Sequence, residues 1–150
     1  MNLRLRTAVL PLAAAAALAA TGAAAAADPA QCSRIVDVEL PAEVHLGDAR
    51  IDFTGAGVDT SIDAEALVLD GRRVAHGDPG YYEDLRRFLG EADRTAREVK
   101  PMAAIFRGRG AEVAEAATRM CGAILALAES SARVEAAVPG FVSPVRIRLE

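Results

Sequence analysis

The sequence predicts an α+β fold, and three observations carry that prediction. Residues 28–75 alternate apolar and polar side chains between glycine-containing turns, residues 79–137 repeat apolar positions every three or four residues, and residues 142–150 return to alternation. A period of two marks a half-buried strand and a period near 3.6 an amphipathic helix. The chain therefore reads as N-terminal antiparallel strands and hairpins packed against two or three helices, with a C-terminal strand returning to the sheet.

The first strand spans residues 34–40, with Val36, Val38 and Leu40 on one face and Asp37 and Glu39 on the other, and Pro41 ends it. Residues 43–46 and 49–54 flank Gly47-Asp48, a two-residue hairpin loop with Gly first. That register sets Val44 opposite Ile51 and Leu46 opposite Ala49, and it gathers Val44, Leu46, Ile51 and Phe53 on one face. A short strand follows over 58–62, then a hairpin of 66–69 with 72–75 around Asp70-Gly71, the type I′ pair. Leu67, Leu69 and Val74 share a face in that hairpin.

After Asp78-Pro79 the period lengthens: Tyr81, Leu85, Phe88, Ala92, Ala96 and Val99 form a helical stripe, with Asp78 as N-cap and Pro79 at the first helical position. Pro101 kinks or restarts this helix, because a mid-helix proline loses a hydrogen bond. Met102, Ile105 and Phe106 continue its apolar face, and Gly108 and Gly110 weaken it. A second helix over about 111–137 aligns Val113, Ala117, Met120, Cys121, Ile124, Leu127 and Ala128, and Pro139-Gly140 stops it. Val145, Ile147 and Leu149 then alternate with Arg146, Arg148 and Glu150 in the closing strand.

Composition shows what precedes the domain. Arg4 and Arg6, the apolar run 8–20 and the small residues 23–27 have the three-part layout of a secretory signal peptide, with cleavage expected between Ala27 and Asp28. The uncharged run is just long enough to span a bilayer, but its alanines contribute little to insertion. No stable membrane anchor is expected after cleavage. A lipid anchor at Cys32 lacks the residues that a lipoprotein site places before its cysteine. The 150-residue chain carries 17 Lys+Arg against 21 Asp+Glu, a formal charge of -4, and losing residues 1–27 removes two further arginines. The remaining 28–150 domain is acidic, which argues against a nucleic-acid partner, because phosphates need a basic surface.

Cys32 and Cys121 are the sole cysteines. An even count in an exported chain reads as one disulfide; the alternatives are two packed thiols or a redox pair, and the latter lacks the Cys-x-x-Cys spacing. Cys121 lies on the apolar stripe of its helix, where Cys32 can reach it.

Chemical motifs are sparse. His45 falls on the solvent face of its hairpin near Asp52, and His76 falls in a connection, so neither belongs to a metal-ligand spacing. Ser33, Ser61, Ser130, Ser131 and Ser143 carry no nucleophile signature. Asp59, Asp63, Glu65 and Asp70 are too widely spaced for a calcium loop and read as a solvated sheet edge. Arg107-Gly108-Arg109-Gly110 offers backbone N–H groups to an anion, or simply connects two helices. Tyr81 reads as core and Tyr82 as the more exposed of the pair. No catalytic, cofactor or metal residue is assigned, and no cofactor is expected.

The segments Ser61-Ile62-Asp63 and Leu67-Val68-Leu69-Asp70-Gly71-Arg72-Arg73-Val74, followed by Tyr82, Leu85-Arg86-Arg87 and Ala96, resemble YggN-like proteobacterial periplasmic proteins. Gly110-Ala111-Glu112-Val113-Ala114-Glu115-Ala116 is similar to the next helical segment of that family. The chain departs from it in its shorter length and in Leu89-Gly90, where Leu-Pro is expected. The resemblance implies an exported protein with an early cysteine and supplies no catalytic residues. Two function classes follow. The first is a non-enzymatic binding or interaction domain of the cell envelope, periplasmic or secreted, whose partner is an envelope protein or a small ligand. The second is a small periplasmic hydrolase or ligand-modifying enzyme drawing on His45, His76 and the acidic stretch 59–70.

Overall fold

The computed structural model describes residues 2–3, 28–40, 42–55, 57–102 and 110–150. Ala27 at the expected cleavage bond and the rest of the signal lie outside them apart from residues 2–3, as do Pro41, Ile105, Phe106 and the residues 107–109 of the arginine–glycine connection.

The architecture is α+β. The elements run β1 (Asn2–Leu3), α1 (Pro29–Cys32), β2 (Ile35–Glu39), β3 (Glu43–Leu46), β4 (Arg50–Thr54), β5 (Thr60–Asp63), β6 (Ala66–Leu69), β7 (Arg72–His76), α2 (Pro79–Met102), α3 (Gly110–Ala137) and β8 (Arg146–Leu149). Strands β3 to β7 form an antiparallel meander, with β1 along the outer edge of β3, and β2 pairs with β8 in a separate two-stranded ribbon. The closing strand thus returns to the first strand of the domain, beside the meander.

The β3–β4 hairpin corrects the expected register by two residues. Val44 lies opposite Phe53 and Leu46 opposite Ile51, and the Gly47 N–H donates to the Arg50 carbonyl at 2.9 Å, so the loop is Asp48-Ala49. A slip of two preserves facing, because side chains alternate with period two. Val44, Ile51 and Phe53 are accordingly buried together. At Asp70-Gly71 both residues have positive φ (46° and 76°), as a type I′ turn requires.

Two irregularities overturn individual side-chain assignments. A bulge in β7 sets Leu67 opposite Ala75, so Val74 is squeezed out and is 45% exposed. A second bulge in β2, between Ile35 and Asp37, turns Val36 to solvent in the same way. The extra residue of a bulge has no partner, and alternation alone cannot foresee it. Val58 also lies outside its expected strand, exposed ahead of Thr60.

Helix α2 begins as its caps predict: the Tyr81 N–H donates to Asp78 Oδ1 at 2.9 Å, behind Pro79. Tyr81, Leu85, Phe88 and Leu89 are buried, whereas Ala96, expected on the same stripe, is exposed. The helix continues to Met102, so Pro101 lies in its last turn and does not restart it. Helix α3 buries Cys121, Ile124, Leu127 and Val134. With the inner face of the meander and with Phe141 and Val145, the last three of these side chains form one core.

Two polar clasps fix the layers. Arg86 on α2 donates to the carbonyls of Gly47 and Asp48 (3.2 and 2.6 Å) and to the Tyr82 hydroxyl, which attaches the helix to the β3–β4 loop. Arg119 on α3 contacts Glu91 and Glu98 of α2 at 3.2 and 3.0 Å and Glu115 on its own helix at 3.2 Å. Hydrogen bonding from Arg94 chiefly holds the Glu98 carboxyl below the usual range against desolvation, and the charges of Arg94 and then Arg119 add to the effect. Cys32 and Cys121 form a disulfide with Cα atoms 5.7 Å apart, which ties α1 and the start of the ribbon to α3.

Candidate functional site

The chemistry-bearing residues separate into two sets. The histidines stand at opposite sides of the meander, His45 on β3 and His76 at the end of β7, four inter-strand steps apart. At the usual spacing this is about 19 Å. No single reacting atom lies within reach of both. His76 Nδ1 is 3.2 Å from the Arg73 guanidinium.

His45, Asp52 and Ser61 occupy successive strands in one cross-strand row on the outer face of the sheet. These are the residue types of a serine-hydrolase triad, but their order differs. The Ser61 hydroxyl donates directly to Asp52 Oδ1 at 2.5 Å, and Arg50 pairs with the same carboxylate at 3.0 Å. A nucleophilic serine needs its proton aimed at an imidazole, with the carboxylate behind that imidazole. Here the carboxylate stands between the two. The acidic stretch is likewise occupied with backbone: Asp63 Oδ1 accepts from the N–H groups of Glu65 and Ala66, and Asp70 Oδ1 from that of Asp59. Among the described residues no group of three His, Cys, Asp or Glu side chains is arranged to hold a metal ion.

The second set lies between α3 and β8. A groove of about 420 Å³ runs between the C-terminal half of α3 and β8. Ala128, Ala132, Val145, Ile147 and Leu149 supply its apolar surface, and Ser131, Ser143, Glu135 and Arg146 its polar groups. The small side chains on α3 leave the space, and Pro139-Gly140 at the end of that helix turns the chain back so that β8 forms the opposite wall.

One buried hydroxyl organises the polar side of this groove. Ser143 Oγ accepts from the Val145 N–H and from Ser131 Oγ, both at 3.3 Å, and lies 3.0 Å from the Tyr81 hydroxyl. A serine oxygen accepts two hydrogen bonds and donates one, so with both acceptor positions filled its own proton goes to Tyr81. The Ser143 N–H donates to Glu135 Oε1 at 2.7 Å. Burial pushes the Tyr81 phenol up to about 12, an effect partly offset by its bonds to Ser143 and Ser131 and slightly reinforced by the charge of Glu135. Tyr81 stays protonated across the physiological range. The cluster therefore holds a saturated serine oxygen and a phenol too weakly acidic to serve as a base, an arrangement suited to shaping a surface.

None of these groove residues carries a local motif. Ser131 and Ser143 are twelve residues apart and Tyr81 fifty further back, so the tertiary fold alone brings them together. The one available signal was polarity at positions 130 and 131, where the helical stripe expects apolar side chains.

The chain matches no protein-family model, no curated protein and no solved structure.

Proposed function

We propose that this is an exported, non-enzymatic binding domain of the cell envelope, acting in the periplasm or outside the cell, and that the groove between α3 and β8 is its binding site. The observation that carries the reading is the groove itself: an apolar cleft whose few polar groups converge on it without an activated nucleophile or base. The disulfide fits an oxidising compartment. Among the described residues no helix is long and apolar enough to cross a membrane. The layout of residues 1–27 and the resemblance to YggN-like periplasmic proteins point the same way.

Site-specific photocrosslinking tests it. A crosslinker at Ala132, on the groove wall, is expected to capture a discrete component of periplasmic extract, and one at Glu83, exposed on α2, is not. Equal yields from the two positions, or turnover in a hydrolase substrate panel that survives substitutions around the groove, would reject this reading.

A further inference from the structure

The backbone of β8 indicates what kind of partner the groove fits. The Glu150 N–H donates to the Arg34 carbonyl at 2.8 Å, so at this residue the main chain faces β2. Along an antiparallel strand the hydrogen-bonding groups alternate between the two edges. Those of Arg148 and Arg146 therefore also face β2, and the N–H and C=O groups of Ile147 and Leu149 turn to the opposite edge. The bulge at Val36 adds its extra residue to β2 and leaves the alternation along β8 unbroken. Among the described residues β8 has no strand on that second edge. Ile147 and Leu149 are also the residues of β8 that line the groove together with Arg146. An unpaired strand edge and the cleft are thus one surface.

Charge narrows the choice. The chain is acidic overall, yet the rim carries Arg146, exposed and without an ion pair among the described residues. Its neighbour Arg148 is 3.7 Å from Asp37. Glu135, the carboxylate on the facing wall, already accepts the Ser143 N–H. The open cation on the rim is complementary to a carboxylate.

We propose that the groove takes an extended, acidic segment of a partner polypeptide, which adds to the free edge of β8 as a third strand of the ribbon and pairs a carboxylate with Arg146. This rests on the reading of the groove as the binding site. Donors and acceptors repeating every second residue, about 6.8 Å apart, match another extended backbone, and main-chain bonds then supply affinity while the flanking pocket and charge supply selectivity. The apolar side chains of the segment that point toward α3 rest on Ala128 and Ala132, where the helix surface is low.

The test uses the disulfide-bonded protein, labelled with ¹⁵N, and a heptapeptide of alternating Thr and Val with a central Glu. Three companions complete the set: the Gln analogue, and two N-methylated forms with the methyl groups on one or the other alternate set of residues. The expected result is slowed hydrogen exchange at the Ile147 and Leu149 amides, with binding lost by about tenfold or more for one N-methylated form and retained for the other. The Gln analogue, or Arg146→Gln with the Glu peptide, is expected to bind about fivefold more weakly. Binding in the groove that tolerates both methylation patterns would overturn strand addition while leaving the groove a binding site. No protection at Ile147 and Leu149 alongside crosslinking from position 132 would do the same. Protection of Val44 and His45 instead, or self-association that protects β8 without peptide, would also overturn the proposal. Failure of the groove reading is separately visible as equal crosslinking from positions 132 and 83.

Discussion

Two strand edges of this protein are treated in opposite ways. The edge of β7 closes the meander with a bulge at Val74 and with Arg72 and Arg73 beside it, and Arg73 reaches back to the Glu65 carbonyl at 2.7 Å. Bulges and charged side chains are common means of keeping an edge from pairing with another chain. The edge of β8 carries no bulge: its ribbon has its bulge on β2, the far side, Arg148 of β8 turns to Asp37 of β2, and the open backbone borders a groove rimmed by Arg146. An exposed edge is a hazard unless it is used, and in this fold one is defended while the other adjoins a cleft.

The largest test of that contrast removes the tether on the β8 side. Replacing Cys32 and Cys121 by Ser releases a constraint spanning 89 residues, with an expected loss of about 4–5 kcal/mol in the chain-entropy account. Denaturant unfolding measures the loss, and hydrogen exchange should show β2 and β8 loosening before β4 and β5.

The opposite side is attacked by Gly77→Ala. A Cβ there would lie 2.5 Å from the backbone carbon of Ala64, so the connection from β7 into α2 would have to shift. The expected cost is about 1–3 kcal/mol, read from the unfolding midpoint and accompanied by faster exchange in β6 and β7.

Alkaline pH probes the buried hydroxyl pair of Tyr81 and Ser143. Tyr81 is raised from an ordinary value of 10 to about 12 in the folded state, so between these values the unfolded chain loses its phenolic proton first. The contribution is fully present below pH 10 and is lost as the pH rises toward 12, amounting to about 1–3 kcal/mol. Tyr81→Phe should lack this decline relative to wild type, in unfolding curves collected across that window.

The smallest effect is a gain. Gly90 is exposed within α2 and has nothing within 4 Å of a Cβ position, so Gly90→Ala should stabilise the helix by about 0.5–1 kcal/mol without altering either edge.

Element type was legible wherever periodicity and turn chemistry agreed. Asp78-Pro79 marked the start of α2, Asp70-Gly71 the β6–β7 hairpin, and Pro139-Gly140 the end of α3. The failures share a physical cause. The loop at residues 47–50 slipped by two because period-two alternation is blind to even shifts, and Val36 and Val74 were misassigned because a bulge leaves no compositional mark. The groove left one mark in the sequence, the serines at 130 and 131 on an otherwise apolar stripe. Its serines and glutamate share no motif, Tyr81 reaches Ser143 from 62 residues back, and the free edge of β8 is a property of backbone direction that no side chain announces.

The separation of the two cysteines also bears on how the chain matures. Residues 33–120 hold β2, the whole meander, α2 and the first part of α3. A polypeptide emerging with its N-terminus first presents Cys32 long before its partner exists. While residues 33–120 emerge that thiol is single, and the bond can close only after the first part of α3 has arrived. Oxidation thus reports that the chain has emerged at least as far as Cys121, and a product truncated before that residue is left with an unpaired thiol at Cys32.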